Sequence, residues 1–265
     1  MDQTLEEILK GFSKRLGAAR TWIVPGGTEH LSEGLPQGAV LGETLGHVPI
    51  ACLDVKAEAA KAQTEGKLLV VDNTIASSYG CPAVRLGASL AVESLDAVLG
   101  WLGSGLIAVS VAKDMPQGLQ DLAASFDERP EVSGRMLDEL ARALRSFDER
   151  RRAASDNAQV AASYLVCHPA VKEIRYPGLK GDPTQPIAAR TLQRGFGPCV
   201  DFRLRKPRCD VEGRILCAPG NTWVPGGIAS RLSVVTDEEG AIWTRLVCGH
   251  GKPEPLIEAL EQTLK

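Results

Sequence analysis

The chain has 265 residues, a formal net charge of −3 and a hydrophobic content of 44%. That length can bury the core of one large or two modest domains, and the slight acidity gives no electrostatic footing for nucleic acid or an anionic membrane surface. Small molecules or other proteins are the expected partners.

Seven cysteines, Cys52, Cys81, Cys167, Cys199, Cys209, Cys217 and Cys248, form an odd set without paired spacing. The opening Met1-Asp2-Gln3-Thr4 carries no apolar secretory core. No apolar run approaches the roughly eighteen residues that span a bilayer. The expected setting is a soluble protein in a reducing cytoplasm.

The first element in chain order is a helix with Leu5, Ile8, Leu9, Phe12 and Leu16 on one face. Thr4 is placed as its cap and Glu7, three residues on, completes a capping box. Strand-like runs follow at 40–42, 67–72, 90–92 and 106–111, with a helical stretch at 55–63 between the first two, the rhythm of a mainly parallel α/β sheet. The second run ends in Asp72, so it delivers a carboxylate to the C-terminal edge of a buried parallel strand, where open α/β sheets place their ligands.

Residues 133–166 predict one long bridging helix, with Met136, Leu137, Leu140, Leu144 and Phe147 on its apolar face. On that helix Arg150-Arg151-Arg152 reads as a solvated face rather than an anion patch. From His168 onward a small α/β domain is expected, with a strand at 199–204. A closing helix at 253–264 carries Leu256, Ile257, Leu260 and Leu264 at three- and four-residue spacing.

Several blocks resemble the Cys/Met-metabolism family of pyridoxal-phosphate (PLP) enzymes, the cystathionine gamma-synthase and gamma-lyase group. Val70-Val71-Asp72-Asn73-Thr74 is similar to the segment whose aspartate pairs with the pyridinium nitrogen. Leu86-Gly87-Ala88 then leads at family spacing to Glu93-Ser94-Leu95-Asp96-Ala97-Val98. There the family has His-Ser-x-Thr-Lys-Tyr, whose lysine forms a Schiff base with the cofactor. The lysine position is Ala97, and a methyl group forms no imine. Asp96 replaces a threonine near the cofactor phosphate, and like charges at short range oppose one another.

Glu43-Thr44-Leu45-Gly46-His47 resembles a loop whose asparagine contacts the cofactor hydroxyl, with His47 in that place. His168-Pro169-Ala170-Val171 through Tyr176-Pro177-Gly178-Leu179 resembles the opening of the family's C-terminal domain. Arg245-Leu246-Val247-Cys248-Gly249 resembles the segment whose arginine grips the substrate α-carboxylate through paired donors. Pro219 to Gly227 matches a substrate-facing loop, in which Trp223 is either a recognition aromatic or a packing residue.

The resemblance implies a trimmed type I PLP-dependent transferase fold. Its expected parts are a divergent N-terminal segment over 1–39, the remnant of the large α/β domain over 40–132, the bridging helix over 133–167 and the small domain over 168–265. The family's phosphate cup and ring-stacking tyrosine are not recognised in the first forty residues. Asp72 and Ser94 are the retained cofactor-binding positions, and Arg245, His47 and Trp223 the substrate-binding ones, with no catalytic residue and no metal ligand. No cofactor is expected.

The expected function is that of a catalytically degenerate homologue acting by binding, as the partner or scaffold subunit of an active sulfur amino-acid enzyme. The partner is a second copy or an active PLP-dependent homologue, with a small amino-acid-like ligand possible and neither nucleic acid nor membrane. The rival expectation is a transsulfuration-type lyase or transferase. Its PLP would be held by a displaced lysine such as Lys113 or by a partner subunit, or the reaction would run without PLP.

Two other constellations have plainer readings. Cys248 and His250 lie two apart and face opposite ways in an extended segment, which argues against a nucleophilic dyad. Cys209, Cys217, Cys248 and His250 lack a Cys-x-x-Cys pair and do not predict zinc.

Overall fold

The computed structural model describes residues 4–26, 35–100, 103–114, 117–127, 132–206 and 226–265. In chain order the elements are α1 (Leu5–Leu16), β1 (Arg20–Pro25), β2 (Val40–Glu43), β3 (Leu45–Gly46), β4 (Ala51–Cys52), α2 (Val55–Thr64), β5 (Leu69–Asp72), α3 (Ser77–Gly80), β6 (Leu90–Ser94), α4 (Asp96–Leu99) and β7 (Leu106–Val111). These are followed by α5 (Gln117–Asp127), α6 (Gly134–Arg145), α7 (Phe147–Val166), β8 (Val171–Arg175), α8 (Gln185–Thr191), β9 (Cys199–Leu204), β10 (Arg231–Thr236), β11 (Ile242–Val247) and α9 (Pro253–Leu264).

The larger sheet has the order β1-β7-β6-β5-β2. Strands β2, β5 and β6 pair in parallel, whereas β7 runs against both β6 and β1. Four strands therefore point one way and one the other, giving a mixed α/β fold with a mainly parallel sheet. Strands β5 and β7 are buried along their apolar runs, as strands covered on both faces must be. One face packs on α5 through Leu119, Ala123 and Phe126, and the other on α2 and on the helices α1, α4 and α6.

The Thr4 box forms as its spacing predicts: Glu7 N–H donates to Thr4 Oγ1 at 3.3 Å and Thr4 N–H to Glu7 Oε2 at 2.9 Å. Helix α1 buries Ile8, Phe12 and Leu16 and ends at Gly17, whose φ of +75° makes the left-handed cap that glycine permits. Residues 20–25, for which the sequence pattern predicts no element, form β1 and complete the sheet edge beside β7.

Instead of one helix over 133–166 there are two, parting at Ser146, which caps α6 at its C-terminus and precedes α7. The arginine triplet also departs from expectation, because only Arg152 is solvated. Arg150 donates to the carbonyls of Val98 at 2.5 Å, Ala143 at 3.0 Å and Gly226 at 2.9 Å. Arg151 is 3% exposed and donates to the carbonyls of Ile75 and Ala76. Arg150 and Arg151 thus pin α7 to the C-terminal edge of the large sheet.

The second sheet, ordered β10-β11-β9-β8, is antiparallel throughout and packs one face on α7 and α9. Leu256, Leu260 and Leu264 of α9 enter that core beside Ala158, Ala161, Ala162 and Leu165 of α7. Among the described residues no helix is long and apolar enough to cross a membrane.

Candidate functional site

The parallel strands bring three side chains to one edge. Glu43, Asp72 and Ser94 end β2, β5 and β6, with Glu43 opposite Asp72 in the β2–β5 register. Asp72 and Ser94 share a face of the sheet, since Asp72 pairs with Val92 and Ser94 lies two residues on. Thr74 joins them: its N–H donates to Asp72 Oδ1 at 2.8 Å and its Oγ1 accepts the Ser94 N–H at 3.0 Å. Asp72 therefore makes the turn-capping contact that a strand-end aspartate commonly makes. The turn is fixed from the other side by Thr44, whose N–H donates to the Asp72 carbonyl at 3.0 Å and whose Oγ1 donates to Asn73 Oδ1 at 2.8 Å.

Ala97 lies on α4 just beyond Ser94 and is 0% exposed. The backbone of Gly226 lies directly on it, so that a Cβ added to Gly226 would meet the Ala97 carbonyl oxygen at 2.5 Å and its Cα at 2.9 Å. Asp96, placed by the resemblance near a phosphate, instead caps its own turn. It accepts the N–H groups of Gly103 at 2.8 Å and Ser104 at 2.9 Å, and also the Ser104 hydroxyl.

On the opposite face, beside Asn73, Glu93 is buried and accepts the Ser78 N–H at 2.7 Å. Burial, partly offset by Ser78 and Arg151, pushes its carboxyl up to about 7. The guanidinium of Arg151 is buried nearby, with Nε and Nη1 unpaired.

Arg245 is 4% exposed on β11 and stands opposite Asp201 of β9. Its Nε donates to Asp201 Oδ1 at 2.8 Å and its Nη2 to Oδ2 at 2.7 Å. Nη2 also donates to the backbone carbonyl of His47. The His47 imidazole is exposed and its φ is +64°, so this residue enters the site through its carbonyl. The structure thus joins Arg245 with His47, and Asp72 with Ser94, while Trp223 lies outside the described residues. Asp201 was not singled out by sequence reasoning, although a lone acid within an apolar strand is a signal of a buried partner.

Lys113 follows β7, whose end at Val111 pairs with Leu90 at the start of β6. It is exposed at the edge of the sheet opposite Asp72 and Ser94. A displaced lysine at 113 is therefore excluded from this site by strand direction. Cys248 is fully buried, and burial pushes its thiol well above its ordinary value, which removes it as a nucleophile beside His250. Cys209 and Cys217 lie outside the described residues.

The family model described as "Cys/Met metabolism PLP-dependent enzyme" matches residues 6–216. The chain belongs to this family. It is 28% identical over 192 residues to a cystathionine gamma-lyase of Bacillus subtilis, covering 71% of this chain and 50% of that protein. To a cystathionine gamma-synthase of Escherichia coli it is 32% identical over 167 residues, covering 62% and 42%. The chain spans about half the length of the curated relatives it matches.

Among solved structures, apo CalE6, a methionine gamma lyase from Micromonospora echinospora, superposes with a TM-score of 0.80 at 19% identity over 98% of this chain and 85% of that one. A cystathionine gamma synthase from Xanthomonas oryzae pv. oryzae, in complex with aminoacrylate and cysteine, gives 0.78 at 20% identity over 97% of this chain and 84% of that one. The fold is that of these proteins, as the resemblance implied.

Family membership corrects the expectation of no cofactor, because the family is one of PLP-dependent enzymes. The residues present fit that group in part. Asp72 and Ser94 stand at the edge where a ring nitrogen and polar substituents could be met, whereas position 97 offers no amine for an imine.

Proposed function

We propose that this chain is a family member that has given up lysine-based catalysis and works by binding, as the partner or scaffold subunit of an active relative in sulfur amino-acid metabolism. The observation that carries the proposal is Ala97. The position that the resemblance assigns to the Schiff-base lysine is a fully buried alanine whose backbone lies against that of Gly226. Covalent amine catalysis needs a nucleophilic nitrogen there. Two further features support the reading: Arg245 spends its fork on Asp201, and Asp96 spends its carboxylate on its own turn.

Pyridoxal phosphate, when bound, supplies an electron sink. Asp72 and Ser94 are the residues that would hold it, Asp72 at the ring nitrogen, without an imine at position 97. What the chain itself does in this reading is orient and bind. Thr74 fixes the Asp72 carboxylate and Ser94, and the Glu43–His47 turn meets the small sheet through the His47 carbonyl. The working assembly is an oligomer, with a second copy or with an active PLP-dependent homologue, in a cytoplasmic setting.

The test mixes the purified chain with an active cystathionine gamma-synthase and measures mass by size-exclusion chromatography with light scattering, with turnover assayed in parallel. A mixed complex of fixed stoichiometry, and no cystathionine turnover by the chain alone, are expected. Turnover by the chain alone at a rate comparable to that of the active enzyme overturns the proposal.

A further inference from the structure

Asp201 and Arg245 face each other across an antiparallel pair, and their side chains meet as two parallel N–H···O bonds of 2.8 and 2.7 Å. That is the fork geometry by which arginine recognises a carboxylate. A third donor comes from outside the small sheet, since Ile50 N–H reaches Asp201 Oδ2 at 2.5 Å. The His47 carbonyl accepts from the same guanidinium, so the receptor is assembled from β11 and the turn between β3 and β4 and is filled from β9. Asp201 is 0% exposed. A buried pair of this kind gains little over apolar packing of the same volume, so stability alone does not account for it. What the arrangement does provide is a desolvated cradle of three donors shaped for two carboxylate oxygens, filled by one of the chain's own.

We infer that Asp201 is an internal carboxylate that occupies the receptor formed by the Arg245 guanidinium and the Ile50 N–H, so that the wild-type chain is closed to a free carboxylate ligand there and loss of the Asp201 side chain opens it. The inference rests on the non-catalytic reading above and gives it a physical cause, a blocked subsite for an amino-acid-like carboxylate. Removing the aspartate takes the carboxylate away from the buried arginine cation, which keeps the His47 carbonyl. The group removed, one carbon and two oxygens, is that of a one-carbon carboxylate.

The test is chemical rescue of the full chain carrying Asp201→Ala. Thermal unfolding is followed in sodium formate and in sodium chloride at matched ionic strength. Formate should raise the Tm of the variant saturably, by about 2–4 °C at roughly five times its Kd. Wild type and the double variant Asp201→Ala/Arg245→Met should show no difference between the two salts. Asp201→Asn, whose amide fills the same space, should also show none.

Absence of a formate-specific shift in Asp201→Ala overturns the inference, as does an equal shift in wild type or in either control. Where Asp201→Ala is not recovered folded, its refolding yield from urea is compared in formate and in chloride. A higher yield in formate is expected, and equal yields overturn the inference. Failure here leaves turnover by the chain alone unaffected, so the two readings fall separately.

Discussion

Replacing Glu93 with glutamine should flatten the dependence of stability on pH. The Glu93 carboxyl is buried on β6, accepts the Ser78 N–H at 2.7 Å and the Ser78 hydroxyl at 3.3 Å, and is held by burial at about 7 against an ordinary value of 4.5. A carboxyl whose pKa is raised by folding binds its proton more tightly in the folded state. Its contribution is therefore complete below pH 4.5, declines as pH rises, and is lost above about 7. At about 1.4 kcal/mol per pH unit, that interval comes to ~3 kcal/mol.

The amide of Glu93→Gln keeps the size and accepts from Ser78 without titrating. Urea unfolding of both proteins at constant ionic strength, from about pH 5 to about pH 8, should show wild type losing roughly 2–3 kcal/mol relative to the variant. Parallel curves would refute the reasoning. A difference moving in favour of wild type would mean that Arg151 stabilises the carboxylate more than burial disfavours it.

Thr4→Ala removes one half of the capping box at the start of α1 and should cost about 1 kcal/mol in urea unfolding, with Thr4→Ser near neutral. Leu260→Ala empties a fully buried place between α9 and α7 and should cost about 2–5 kcal/mol by the same measurement. Ala97→Lys combined with Asp96→Thr forces a long cationic side chain into a fully buried position and strips the acceptors from Gly103 and Ser104. It should lower the Tm and give no cystathionine turnover, and an active, stable double variant would contradict the packing described at position 97.

The apolar strand runs and the amphipathic stripes were legible because burial on both faces, or on one, imposes them directly. The bounds of β7, β9 and α9 match the sequence pattern, and β5 differs only at its first residues. Strand β1 was missed because Arg20-Thr21-Trp22-Ile23-Val24-Pro25 is short, mixed in character and closed by a proline, and only its pairing with β7 makes it a strand. The β10–β11 hairpin had a signal that went unused. Asp237-Glu238-Glu239-Gly240 separates two apolar-rich runs, and the Asp237 carboxylate accepts the N–H groups of Glu239 and Ala241.

The break at Ser146 carries neither glycine nor proline, so periodicity alone ran two helices together. In the site, the resemblance placed Asp72, Ser94, Ala97 and Arg245 by spacing. What occupies the arginine depended on a contact across strands some forty residues apart, and no local pattern encodes that contact.

The most direct test of lost lysine catalysis is the visible absorbance of the purified protein with added pyridoxal phosphate, before and after borohydride reduction, with peptide mapping of any adduct. The account predicts no saturable aldimine band and no adduct concentrated on one lysine, because position 97 is an alanine and Lys113 lies at the far edge of the sheet. A saturable band trapped on a single lysine, accompanied by turnover, would contradict it.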